Sequence, residues 1–315
     1  MEKKLYSNNG KFQNHDRKPQ RPRKRRRKLS TLKAILLGLC ITALIVLMGV
    51  GGFLLHNESS EKDFQKMAAQ SRTAATAPAT TAPAVTDANG APVETTEATL
   101  PMHPEVAAML AASGRNREVL PQYKELYEKN NELFGWLTID GTKIDYPVMY
   151  TPGESEKYLH AAFDGSYSYP GTPFIDINCQ PNSQNLMIYA HNMPNGSMFR
   201  GLLKFEDKTY WQKHPTITFN TIYEENEYEI GAAFYDRLYL ETETDVFKFY
   251  YFIDPETEEE FNYGIDQIKS KALYDTGIEV SYDDKLITLV TGAYHTTHGR
   301  FVVLARQKQI QQPAA

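Results

Sequence analysis

The chain has 315 residues, 41% of them hydrophobic, with 20 Tyr, 15 Phe and two Trp, which excludes a disordered chain without a packed core. Residues 1–33 carry 13 Lys and Arg against Glu2 and Asp16, a net of +11, so with the whole chain at −5 the remainder stands at −16. That asymmetry points to two compartments rather than one nucleic-acid-binding surface, and two cysteines, Cys40 and Cys179, are too few for a disulfide framework.

The basic segment 1–33 is densest at Arg23 to Lys28 and reads as a cytoplasmic tail. Ala34 to Leu55 follows, 22 residues without a charge. As a helix it is long enough for a hydrocarbon core of about 30 Å. The basic flank predicts a single-pass anchor with the N-terminus in the cytoplasm and the rest outside the cell membrane. A cleaved signal peptide fits less well, because the apolar run is too long and no small-x-small site follows a short apolar region. Residues 56–102 are expected to form an extracellular stalk. Asn57 to Gln70 is polar and can continue the helix. Ser71 to Pro101 is rich in Ala, Thr and Pro, which predicts a semi-extended tether with nothing to bury.

Globular sequence is expected over 103–315. Pro104 to Ala112 and Pro121 to Phe134 read as helices, the second with Tyr123, Leu126 and Tyr127 at helical spacing. Gly135 to Ile139 and Ile144 to Met149 flank Asp140-Gly141, a hairpin signal. Gly171 to Ile177 leads to an apolar strand, Asn185 to Met193, that carries His191. Gly196 to Lys204 reads as a helical turn. Lys213 to Phe219 and Tyr228 to Phe234 read as strands. Glu258 to Leu273 reads as a helix, with Phe261, Ile265 and Ile268 spaced by four and three. Leu286 to Thr291 and Phe301 to Ala305 read as two strands joined by a polar Gly/His/Thr loop.

The stretch Lys285 to Arg306 and the strand ending His191-Asn-Met, with Gly196-Ser-Met-Phe after it, resemble the active-site strands of class B sortases. Gly135-Trp-Leu and Asp145-Tyr-Pro-Val match that family's opening strands in type and order. The likeness covers residues 120–307, about 60% of the chain. It implies a mainly β fold: an eight-stranded closed barrel with helices before it and a helix in the connection ahead of the nucleophile strand, here preceded by one transmembrane helix. The implied reaction is transpeptidation. A Cys thiolate attacks the Thr carbonyl of an LPxTG-like or NPxTG-like sorting signal, and the acyl group then passes to a peptidoglycan or protein amine.

By the same resemblance His191 is the proton donor to the leaving amine. Arg300 hydrogen-bonds the substrate carbonyl and its oxyanion, since a guanidinium stays protonated and is no base. Asn192 and Tyr294 are the expected substrate contacts. The family's Thr-Cys is here Thr291-Gly292, and glycine offers no attacking atom. Thr291 cannot replace it, because neighbouring strand side chains face opposite ways. Cys179 is expected to be non-catalytic and partly exposed, on the order of 20 Å from His191. His295 and His298 lack a third ligand for a metal, so no metal or other cofactor is expected.

Two readings follow. One is a transpeptidase whose nucleophile has been replaced, so that the chain as written is inactive. The other is a pseudosortase that binds surface peptides without cleaving them. A His-based hydrolase is a third idea, and it lacks an activated nucleophile. The expected partners are a sorting-signal peptide, an amine acceptor and a membrane, with no nucleic acid.

Overall fold

The alternating and β-branched runs form eight strands: β1 (Leu133–Thr138), β2 (Asp145–Met149), β3 (Phe174–Ile175), β4 (Asn185–Tyr189), β5 (Thr216–Thr221), β6 (Glu227–Arg237), β7 (Leu286–Gly292) and β8 (Gly299–Gln307). In the computed structural model, which describes residues 31–76, 118–154 and 156–308, they close into a barrel in the order β1-β2-β3-β4-β7-β8-β6-β5. Closure leaves no unpaired sheet edge. β7 is buried along almost its whole length, as expected of a continuous Leu/Ile/Val/Thr run, whereas β6 alternates buried and half-buried residues.

The helices are α1 (Thr31–Thr76), α2 (Pro121–Lys129), α3 (Lys208–Lys213) and α4 (Glu258–Lys271). The helix predicted between the sixth and seventh strands is α4. The Thr257 hydroxyl accepts from the Glu260 N–H at 3.2 Å. Glu258 to Glu260 in the first turn and Lys269 and Lys271 in the last complement the helix dipole. Phe261, Ile265 and Ile268 are buried, the stripe their spacing predicts. The turn between β1 and β2 places Gly141 at φ 77°, where a Cβ is strained and would also meet the His214 ring.

Two boundaries differ from expectation. α2 ends at Lys129, not Phe134, because Leu133 and the residues after it pair with β2. The Asn130 N–H closes the helix by donating to the Leu126 carbonyl at 3.0 Å, and the Asn130 side chain donates away from it, to the Tyr158 hydroxyl at 2.7 Å and to the Phe163 carbonyl. The second difference concerns the stalk. Helix α1 runs on through the first part of the expected stalk as far as Thr76. There Phe64, Ala68 and Ser71, spaced by four and three, are buried. Phe64 meets Tyr146 edge-on, with ring centroids 5.4 Å apart, and Arg72 pairs with Asp145. The folded unit therefore takes in residues well before the expected start at 103.

Residues 71–76 of the expected semi-extended tether are helical, as the last turns of α1, while most side chains of the expected 34–55 anchor fall outside the described residues, as do residues 1–30, residues 77–101 of the tether and the expected 104–112 helix. Among the described residues no helix is long and apolar enough to cross a membrane.

Candidate active site

β4 and β7 run parallel, with Tyr189 opposite Val290, so both leave the barrel at the same rim. The pairing continues past the strand end: the Ala190 N–H donates to the Val290 carbonyl at 3.2 Å, and the Thr291 hydroxyl donates to the Ala190 carbonyl at 2.8 Å. β8 returns antiparallel from that rim with Arg300 opposite Gly292. Topology thus gathers His191, Gly292 and Arg300 from three strand ends.

His191 is half-buried. Its Nε2 lies 3.1 Å from the Leu159 carbonyl oxygen. A carbonyl can only accept, so this contact puts a proton on Nε2. The ring stacks on His160, centroids 5.3 Å apart, and on Tyr169 at 6.2 Å. Burial, and after it the neighbouring His160, holds the His191 pKa below its ordinary value. Both causes favour the neutral imidazole.

Gly292 is half-buried, and its φ is not in the left-handed region. A Cβ added there would meet nothing within 4 Å. The position can therefore take a Cβ without backbone strain or clash. Arg300 is half-buried and donates to the Gly299 and His298 carbonyls at 3.0 and 3.3 Å. Burial lowers its pKa, yet a guanidinium stays charged. An imidazole and a cation thus share the rim with an open volume over a residue that has no side chain.

The other expected contributors divide. Asn192 is buried, and its amide is already engaged. Nδ2 donates to the Gly292 carbonyl at 2.8 Å, and Oδ1 accepts from Arg200 Nη1 at 3.1 Å. It ties the His191 loop to the end of β7. Tyr294 is 86% exposed on the loop beyond β7. Thr291 is turned inward and 2% exposed, as strand alternation requires. His295 packs against Tyr235, centroids 4.7 Å apart, and His298 sits at φ 56°. Among the described residues no cluster of three or more His, Cys, Asp or Glu side chains could hold a metal.

Cys179 departs from expectation. It is fully buried, not partly exposed, because its loop folds back onto β4. The Met187 N–H donates to Sγ at 3.4 Å, and the Tyr150 hydroxyl donates to the Cys179 carbonyl at 3.1 Å. Burial pushes the thiol pKa up to about 12, which leaves almost no thiolate near neutrality. Sequence reasoning also missed His160 and Tyr169. They lie in the loop between β2 and β3, and nothing in their local pattern distinguishes them from surface residues.

No family model matches the chain. It is 33% identical over 185 residues to Sortase B of Listeria monocytogenes, spanning 58% of this chain and 71% of that protein. A crystal structure of sortase B from Bacillus anthracis in complex with AAEK2 is 29% identical, with a TM-score of 0.54 over 62% of this chain and 86% of that one. A Staphylococcus aureus sortase B–substrate complex shares the fold at 23% identity, with a TM-score of 0.54 over 66% of this chain and 93% of that one.

Proposed function

The chain belongs to the sortase B family, and from that premise we propose that it is a membrane-anchored, cell-surface transpeptidase whose nucleophile position is occupied by Gly292, so that the chain as written cannot cleave a sorting-signal peptide. The family's reaction is acyl transfer from the signal's Thr to an amine. In this reading the Thr carbonyl lies over Gly292. Arg300 stabilises the carbonyl oxygen, and His191 faces the leaving amine. A thiol at 292 would pass its proton to the His191 imidazole, and the resulting thiolate would bond to the carbonyl carbon while Arg300 holds the oxyanion. Collapse of that adduct breaks the C–N bond, and His191 gives its proton to the departing amine. An acceptor amine, on peptidoglycan or on another protein, would then attack the thioester. It loses its proton to His191 and expels the thiolate. Without a side chain at 292 the first bond cannot form.

The observation that carries this reading is the open volume at Gly292, flanked by a cation and an imidazole. A pseudosortase is the rival. It is favoured less, because nothing has grown into the space a side chain would fill. The apolar 34–55 run with its basic flank supports a single-pass anchor, with the C-terminal domain outside the cell.

The test is peptide cleavage by the chain as written and by Gly292→Cys, on LPxTG-like and NPxTG-like substrates. Cleavage should appear only with Gly292→Cys and be lost again on His191→Ala or Arg300→Ala. A folded Gly292→Cys protein inert toward every sorting peptide would favour the pseudosortase.

A further inference from the structure

The loop between β4 and the short helical segment Phe199–Glu206 carries His191 and Asn192, and it is held from an unexpected direction. Met198, at its far end, has φ 52°, a conformation that disfavours an L side chain and needs outside support. Its N–H donates to the Tyr146 hydroxyl at 3.1 Å. That hydroxyl in turn donates to Glu61, with both carboxylate oxygens at 3.0 Å. Tyr146 is 1% exposed, and burial raises its pKa, so the hydroxyl keeps the proton it donates. Glu61 lies one helical turn from Phe64, which packs edge-on against the same tyrosine ring. On the other side of the loop Met198 bridges to Asn192, and the Phe199 N–H donates to the His191 carbonyl at 2.9 Å. Asn192 donates to the Gly292 carbonyl at 2.8 Å. One hydroxyl therefore connects helix α1 to the loop that ends at the site.

We propose that Glu61 and Tyr146 are positioning residues, which fix the 191–199 loop and thereby set His191 and Asn192 against the end of β7. Helix α1 is then a working part of the site. Nothing in the sequence signals this, because Glu61 lies 130 residues from His191 in a stretch that reads as solvated. The proposal rests on His191 being the group that acts on substrate, but its first readout does not.

That readout is amide hydrogen exchange at Met198 and Phe199, with the His191 ring resonances, in the chain as it stands. Tyr146→Phe keeps the ring and removes the hydroxyl, so Met198 exchange should quicken by about tenfold, the scale of one lost hydrogen bond. The His191 ring resonances should move with it. Glu61→Ala should do the same, while Glu61→Gln, which keeps an acceptor for the hydroxyl, should restore the parental values. In a Gly292→Cys background, Tyr146→Phe should lower kcat by about tenfold and leave KM within about twofold, because the loss is of alignment, not of peptide contact. Unchanged Met198 exchange in Tyr146→Phe would overturn the proposal. So would an unaltered kcat. If Gly292→Cys cleaves no peptide, the functional reading fails separately, and the His191 resonances decide: movement in Tyr146→Phe supports the positioning role, and no movement overturns it.

Discussion

The Asn192 side chain donates a 2.8 Å hydrogen bond to the carbonyl oxygen of Gly292. This contact closes the gap between two parallel strand ends whose backbone pairing stops at Ala190 and Val290. It also places His191, the preceding residue, at the rim where Gly292 and Arg300 face one another. Arg200 holds the other end of the amide, so both polar atoms of Asn192 are used inside the protein.

Removing that strut is the first prediction. Asn192→Ala should destabilise the fold by about 1 to 3 kcal/mol, since it strips a partner from the Gly292 carbonyl and from Arg200. Urea unfolding measures this directly. A change of less than about 0.5 kcal/mol, the scatter of an ordinary surface substitution, would mean that water replaces the amide at no cost.

The second prediction reverses the expectation of a detachable stalk. Phe64 is buried against Tyr146, and truncating a buried Phe to Ala costs about 3 to 5 kcal/mol. Phe64→Ala should therefore lower the melting temperature clearly. A chain starting at His103 should melt well below one starting at Asn57. Equal melting temperatures for the two lengths would show that α1 rests on the domain without stabilising it.

The third prediction concerns pH. Burial and then His160 depress the His191 pKa, so its NMR titration midpoint should fall below the ordinary histidine value of about 6.5. His160→Gln should raise it. Between the depressed folded pKa and the unfolded one, the unfolded chain binds more protons, so stability rises with pH across that window. The contribution is complete above the unfolded pKa and is lost as pH falls through the folded one. A midpoint at or above the ordinary value, or one that does not respond to His160→Gln, would contradict this account of the site.

A fourth prediction separates the two thiol positions. Cys179 is fully buried and its pKa is raised to about 12. It should not react with a thiol reagent in the native protein and should react on unfolding. Rapid native labelling at Cys179 would mean that its loop opens.

Much of this was legible in the sequence, for identifiable reasons. β7 and α4 were readable because their patterns are strong: an unbroken apolar and β-branched run in one case, and an amphipathic stripe in the other. The rim of His191, Gly292 and Arg300 was readable through motifs at strand ends. Other features depend on contacts distant in sequence. Phe64, Ala68 and Ser71 form a helical stripe, but the Lys, Glu and Gln residues around them gave the segment the composition of a solvated linker. The ring of His160 gains its place only when the loop before β3 folds over His191. Asn192 was expected from the family resemblance to contact substrate, and its bond across to β7 could not be read from the sequence. Its partner, Gly292, lies a hundred residues on.

The central claim is that only a side chain at 292 is missing from an otherwise formed site, and covalent capture tests it most directly. The chain as written and its Gly292→Cys form would each be incubated with a sorting peptide and no amine acceptor. Intact-mass and peptide mass spectrometry would then locate any acyl adduct. The account predicts no adduct on the chain as written, and a thioester at residue 292 of Gly292→Cys that disappears when an amine is added. An acyl adduct anywhere on the chain as written would contradict it, as would a folded Gly292→Cys protein that accepts no acyl group from any sorting peptide.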